Sequence, residues 1–226
     1  MADKSLNILI TAASRKVALI RAFRESLKRL GVQGNVVTTD LNPLSSGLYV
    51  SDKYHFAPMT TDPGYLDRIE EICREEEIRL IIPTIDDELV IMGRARERFD
   101  GLGIRVVISE PRTSEICNDK KQTFKFFRSN GIPTPQTWLP EELPDSAHLS
   151  FPLFIKPRNG RGSVDTYKVK NEKELRFFLD YVAEPVVQEY LDGDEYTLDT
   201  FADFDGTVIS VVPRRRLWIR AGVMDK

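Results

Sequence analysis

Through the first half of the chain, short runs apolar on both faces alternate with stretches whose apolar residues recur at helical spacing. A strand with no polar face must be covered on both sides. Helices with one apolar stripe provide that cover, so the pattern calls for a parallel sheet with crossover helices. The runs are Asn7-Ile8-Leu9-Ile10-Thr11, Val36-Val37-Thr38-Thr39 ending in Asp40, Leu80-Ile81-Ile82-Pro83 and Arg105-Val106-Val107-Ile108, with a further short strand near 53–57. Between them, Ile20, Phe23, Leu27 and Leu30 form one stripe closed by Gly31. A helix is expected from about Pro63 with Leu66, Ile69 and Ile72 inward, and another over Asp86–Phe99. Residues 1–112 therefore read as a doubly wound, Rossmann-like α/β domain.

After Pro111 the rhythm changes, and a domain boundary is placed near 110–116. A helix is expected over Asp119–Ser129, stopped by Asn130-Gly131, and Ile132-Pro133-Thr134-Pro135 then forces extended chain. A strand over Phe151–Lys156 leads into a glycine-punctuated loop, Pro157–Ser163, and a strand over Asp165–Val169. The helix Glu172–Ala183 turns Leu175, Phe178, Leu179 and Val182 inward. Three more strands follow, Val186–Tyr190, Glu195–Phe204 and Thr207–Pro213, with Asp192-Gly193-Asp194 and Asp205-Gly206 as turns. This is α+β order, divided here into 113–185 and 186–226.

Composition narrows the function. With 32 Lys+Arg against 35 Asp+Glu, the 226-residue chain carries a formal charge of −3, which disfavours nucleic-acid and anionic-membrane partners. No run approaches the roughly 18 apolar residues of a membrane span. Cys73 and Cys117 stand far apart and His55 and His148 are the only histidines, so a Cys/His zinc site is not expected. The compartment expected is the cytoplasm. Glu75-Glu76-Glu77 reads as a solvated helix end.

The loop Thr11-Ala12-Ala13-Ser14-Arg15-Lys16 lacks the glycines of a dinucleotide fold, so Asp40 is weak evidence for ribose binding and hydride transfer is disfavoured. Ser14 and Arg15 at a helix start either hold an anion or are a serine cap and a solvated cation. In Thr84-Ile85-Asp86-Asp87-Glu88 the acids either complement a helix dipole or face a ligand at a strand end. Lys156 ends an apolar run and is followed by Arg158, Asn159, Gly160, Arg161, Gly162 and Ser163, a loop able to fold backbone N–H groups over phosphates; the plainer alternative is a hairpin turn. The segment from Gln188, Glu189, Tyr190 and Leu191 to Glu195 offers a strand-exit backbone for a purine edge and an acid for ribose, or else a solvated turn. Arg214-Arg215-Arg216 with Trp218 admits a nucleic-acid reading, disfavoured by the acidic chain and single aromatic.

Taken in order, Asn118-Asp119-Lys120, Gly131 to Pro135, Phe154-Ile155-Lys156-Pro157 with its glycine loop, and Gln188-Glu189-Tyr190 with Glu195 resemble the ATP-grasp superfamily. Within it, the whole chain is similar to the carbamoyl-phosphate synthase large-subunit-like ligases. The resemblance implies a pre-ATP-grasp domain followed by a partial ATP-grasp module. It also implies ATP held by Lys120 and Lys156, a closing loop of Gly160, Arg161, Gly162 and Ser163, adenine read by Gln188 to Leu191, and ribose held by Glu195. Arg214 and Arg216 belong to a segment reaching toward phosphates or substrate. The implied chemistry is activation of a small carboxylate as an acyl phosphate, then attack by a nitrogen nucleophile. Mg²⁺ is implied for a complete enzyme, but no Glu-x-Asn follows residue 195, so its ligands are not found in this chain. A truncated chain is expected, with a second copy or a second polypeptide completing the module.

Overall fold

The computed structural model describes residues 5–160, 162–217, 219–220 and 223–224. The chain divides into two compact units, Met1–Glu115 and Ile116–Lys226.

The first unit is the doubly wound α/β domain. Its strands are β1 (Asn7–Ile10), β2 (Val36–Asp40), β3 (Lys53–Phe56), β4 (Ile78–Ile82) and β5 (Arg105–Val106). They form a parallel sheet in the order β3-β2-β1-β4-β5. Its helices are α1 (Val17–Leu30), α2 (Tyr65–Glu75), α3 (Asp86–Arg94) and α4 (Arg96–Asp100). Alternation along β1 feeds two cores: Ile8 and Ile10 join Ile20 and Leu27 of α1, while Leu9 joins Ile69, Ile72, Met92 and Phe99. Doubly apolar strands are thus covered on both faces.

The local expectations need five corrections. Leu30 is 75% exposed: the last turn of α1 runs past its stripe before Gly31, at φ 63°, closes the helix. Pro63 stands before α2 instead of in its first turn, because the Asp62 carboxylate accepts from Gly64 N–H (2.7 Å) and makes a turn of Asp62 to Tyr65. The expected helix over Asp86–Phe99 breaks at Ala95 into α3 and α4; Gly93, a weak helix former, lies in the turn before the break. The strand at 105–108 pairs only over Arg105–Val106. Glu76 is no solvated end: it accepts from Lys53 (2.6 Å) and His55 (2.9 Å) of β3. Burial opposes its charge, but the hydrogen bonds from these two donors hold its carboxyl below the usual range.

α5 (Pro111–Asn118) leads into the second unit, which contains α6 (Lys120–Ser129), β6 (Thr137–Trp138), β7 (Leu153–Pro157), β8 (Tyr167–Val169), α7 (Glu172–Tyr181) and β9 (Pro185–Glu189). The strands form an antiparallel sheet in the order β6-β9-β7-β8. One face, with Leu153, Ile155, Val169 and Val187, packs on Leu175 of α7. β10 (Tyr196–Ala202) and β11 (Val208–Arg215) form a separate hairpin, and β12 (Ile219–Arg220) pairs with β13 (Val223–Met224). β9 and β10 do not pair, so the Asp192–Asp194 turn connects two sheets and is not the tip of a hairpin.

Candidate functional site

The register of the second sheet separates its two faces. Leu153 and Ile155 face the core, which puts Phe154 and Lys156 on the opposite side. Phe154 stands across from Gln188 and Lys168, and Lys156 across from Val186, so these residues share that second face. Gln188 Nε2 donates to Thr137 Oγ1 (2.7 Å) on the neighbouring strand. Tyr190 follows β9, with its ring 6.5 Å from that of Phe154 and the Lys168 ammonium 3.7 Å from its centroid. The face therefore gathers Lys156, Gln188 and Tyr190, which the sequence had singled out, with Lys168, which it had not. The signal for Lys168 was pairing across β7 and β8, invisible until the register is known.

Helix α6 brings the second cation. Asp119 caps it, accepting from the N–H groups of Lys121 (2.9 Å) and Gln122 (3.1 Å). The same carboxylate accepts two N–H bonds from Arg158, at 2.6 and 2.9 Å, which ties the start of α6 to the exit of β7. Burial opposes the charge on Asp119, yet the Arg158 and helix N–H donors together hold its carboxyl below its ordinary range. The tie places Lys120 beside the glycine loop, where its ammonium donates to the carbonyls of Arg158 (3.3 Å) and Gly160 (3.1 Å).

Lys120 and Lys121 occupy the positive end of a helix, where cations are disfavoured. Lys121 is compensated: it is buried, donates to Thr137 O (2.7 Å) and pairs with Glu142. Lys156 is not. Among the described residues it forms no ion pair, and its ammonium lies 5.6 Å from the Phe154 ring centroid. Burial, and then repulsion from Lys120, pushes its pKa down from 10.5 to about 8. A lysine left in this condition is a ready partner for an anion.

In the loop beyond β7, Gly160 (φ 100°), Gly162 (φ 70°) and Ser163 (φ 54°) are left-handed, and no atom lies within 4 Å of a Cβ built at either glycine. Such a chain exposes successive N–H groups. Arg161 lies outside the described residues. β7 and β8 are hairpin-paired, so the plainer turn reading is also satisfied. Glu189 is an anchor: its N–H donates to Gln136 O (3.0 Å), and its carboxylate accepts from Gln136 N–H (2.7 Å). Leu191 is 69% exposed. Glu195 accepts from Arg216 twice, through its carboxylate (2.6 Å) and its carbonyl (2.7 Å). Arg214 pairs with Asp199, and Arg215 with Asp194 (2.7 Å). Among the described residues no group of three or more His, Cys, Asp or Glu side chains is arranged to hold a metal ion.

In the first unit the loops after β1 and β4 meet at the point where the strand order reverses, the usual ligand position in such sheets. Ser14 is not a cap: at φ 42° its N–H donates to Asp40 (2.6 Å), and α1 starts at Val17 with no side-chain cap. That backbone donor and Asp40 are therefore committed to each other. Of the acids at 86–88, Glu88 turns inward and is 1% exposed. It accepts from Thr11 Oγ1 (2.9 Å), Tyr65 OH (2.5 Å) and Thr84 N–H (3.1 Å). Burial and the Glu88 charge push the Tyr65 hydroxyl far up, so it remains a donor. The sequence named Glu88 among acids that complement a dipole or face a ligand, and could not show this inward role because its partners are up to 77 positions away.

Residues 8–107 match the family model described as the PylC-like N-terminal domain, and residues 117–222 match that of the ATP-grasp domain. The chain belongs to the ATP-grasp superfamily. It is 28% identical over 174 residues to D-alanine–D-alanine ligase A of Bacillus cereus, covering 73% of this chain and 55% of the relative. Among solved structures, an L-amino acid ligase from Bacillus licheniformis superposes with a TM-score of 0.69 at 22% identity, over 91% of this chain and 49% of that one. N5-carboxyaminoimidazole synthetase from Staphylococcus aureus, in complex with ADP, gives 0.72 at 14%, over 97% and 56%. The ATP-grasp chain thus spans about half the length of the relatives it matches.

Proposed function

We propose that this ATP-grasp chain binds ATP through its second unit, as part of an ATP-dependent carboxylate–amine ligase. One observation carries the reading: Lys156 sits half-buried with Lys120 close by and, among the described residues, no carboxylate paired with it. A triphosphate resolves that repulsion, and the left-handed run at Gly160, Gly162 and Ser163 can add backbone N–H donors. Gln188 to Leu191 would meet the purine at the strand exit, with Phe154 and Tyr190 as apolar surface. Glu195 would take the ribose.

The chemistry proposed for the whole protein is transfer of the γ-phosphoryl group to a substrate carboxylate, followed by displacement of phosphate by a nitrogen nucleophile. Such transfer depends on charge neutralisation and alignment, which lysines and loop N–H groups can supply. The finer assignment, a carbamoyl-phosphate synthase large-subunit-like ligase, rests on motif order alone. Mg²⁺ accompanies ATP in chemistry of this kind, but no residue described here is assigned to it.

A second reading, in which another polypeptide completes the site, is favoured by the β10–β11 hairpin. Tyr196, Leu198, Val208 and Val211 share one of its faces, and each is at least 50% exposed. An isolated hairpin with a bare apolar face is marginal in water. ATP should raise the melting temperature by a shift equivalent to about 2.7 kcal/mol at a hundredfold excess over Kd. A wild-type chain that does not respond, or a Lys156→Ala variant that responds fully, would overturn the nucleotide reading.

A further inference from the structure

A groove of about 700 Å³ opens in the first unit, at the end of the parallel sheet opposite the β1 and β4 exit loops. One wall is α1, with Arg21, Arg24, Glu25 and Lys28, and the other includes Asp52, just before β3. The run 31–34, which carries the chain from α1 towards β2, completes the lining. Gly34 shapes this run: a Cβ there would stand 2.0 Å from the Leu6 carbonyl oxygen, so only glycine lets the backbone lie so close to the start of β1.

The groove is cationic for reasons the fold does not use up. Residues 15–30 hold six Lys or Arg against one acid, Glu25, in a chain whose overall charge is −3. The helix dipole accounts for Lys28 and Arg29, which stand in the last turn of α1, but not for Arg21 and Arg24 in its middle. Arg21, Arg24 and Lys28 recur at spacings of three and four, which puts them on one helix face within about 10 Å. Arg24 is set in place. Its Nη2 pairs with Asp52 (2.8 Å), its Nη1 donates to Val50 O (3.1 Å), and Asp52 also accepts from Val36 N–H (2.8 Å). Arg21 and Lys28 are not spent in this way: among the described residues neither side chain has a partner, and Glu25, four positions from one and three from the other, pairs with neither.

A single exposed cation on a helix is ordinary. Three around one cavity, one guanidinium fixed and two cations without acids, supply the charge and the room for a compact polyanion. We propose that this groove binds a small phosphate-bearing molecule with at least two acidic groups. Arg24 is the preset contact, Arg21 and Lys28 close on the anion, and Glu25 limits the affinity from the same wall. The proposal gives the first unit a ligand site of its own and does not rest on the nucleotide reading.

The test is calorimetric titration of the full-length Lys156→Met chain, which lacks the central lysine of the other proposed phosphate site, with inorganic pyrophosphate at low salt. One site per chain is expected. Arg21→Gln and Lys28→Gln should each weaken it at least fivefold, the double variant should abolish it, and Glu25→Gln should tighten it about twofold. Arg29→Gln removes a cation of the same helix that does not line the groove, and should stay within twofold of its parent. The same series in the wild-type background, where the double variant should lose one site, guards against a Lys156→Met chain that fails to fold. Pyrophosphate binding that is absent in both backgrounds, or unmoved by the Arg21 and Lys28 variants, overturns the proposal. A loss in Arg29→Gln equal to theirs overturns it as well, because attraction to the whole basic helix would then suffice. Citrate that binds the groove more tightly than pyrophosphate overturns the phosphate class.

Discussion

Two titratable side chains withdrawn from water, one in each unit, are treated in opposite ways. Glu88 is almost completely buried and fully engaged, with a hydroxyl, a phenol and a backbone N–H as donors. Lys156 is only partly buried, yet among the described residues it meets a repelling ammonium and no paired acid. A buried side chain engaged by three donors holds loops together; an ammonium left unbalanced invites a ligand. By this criterion the switch point of the parallel sheet, where a ligand is expected from topology, is a structural joint at Glu88. The chemistry is proposed for the antiparallel sheet instead.

Breaking the first half of the contrast should give the largest effect. Glu88→Leu strands three buried donors and is expected to lower stability by about 3–5 kcal/mol, measured by denaturant unfolding. Glu88→Gln, which keeps an acceptor, should lose clearly less. Equal losses for the two would mean that volume, not hydrogen bonding, matters there.

Lys156→Met should move the other way. Because the folded pKa lies below the ordinary lysine value, the charged form is penalised on folding. That penalty is complete below about pH 8 and disappears as pH rises from there through 10.5. The variant is therefore expected to be more stable than wild type at pH 7, by about 1–3 kcal/mol after allowance for partial exposure, and equal to it above pH 10.5. It should also fail to bind ATP. A variant less stable at every pH would mean that the lysine is balanced after all.

Smaller again is Asp119→Ala, which removes a helix cap and the Arg158 tie, for an expected loss of about 1–2 kcal/mol. The carboxyl is depressed on folding, so its contribution is present above the ordinary aspartate range and is lost as pH falls through the folded value. Thermal unfolding of wild type and variant should therefore converge in acid. Smallest is Arg176→Gln, which breaks an exposed pair with Glu172 on α7 and should change stability by less than about 0.5 kcal/mol.

What was legible in the sequence divides along the same physical line. Periodicity and turn chemistry are local, so the doubly apolar strands, the Gly31 stop and the order of the second unit could be read directly. Helix ends were misplaced where a neighbouring side chain decided them, as Asp62 does before α2. The glycine loop and Lys156 carry their signal in adjacent residues. Glu88, Glu76, Lys168 and the Glu195–Arg216 pair do not, because each is defined by a partner brought in by the fold; the Glu195–Arg216 partners are 21 positions apart. Glu88 in particular stands third in an acidic run that admits a helix-dipole role and a ligand-facing role equally.

The central claim, that Lys156 with Lys120 forms a phosphate site, has one direct measurement. An anion that balances Lys156 must raise its pKa, so ATP binding near pH 8.5 should take up a fraction of a proton. Calorimetric titration of ATP in two buffers of different ionisation enthalpy reads that uptake. The account predicts uptake in wild type that disappears at pH 6.5, where the lysine is already charged. ATP that binds at pH 8.5 with no proton taken up, or with the same uptake in Arg215→Gln and Lys156→Arg, would contradict it.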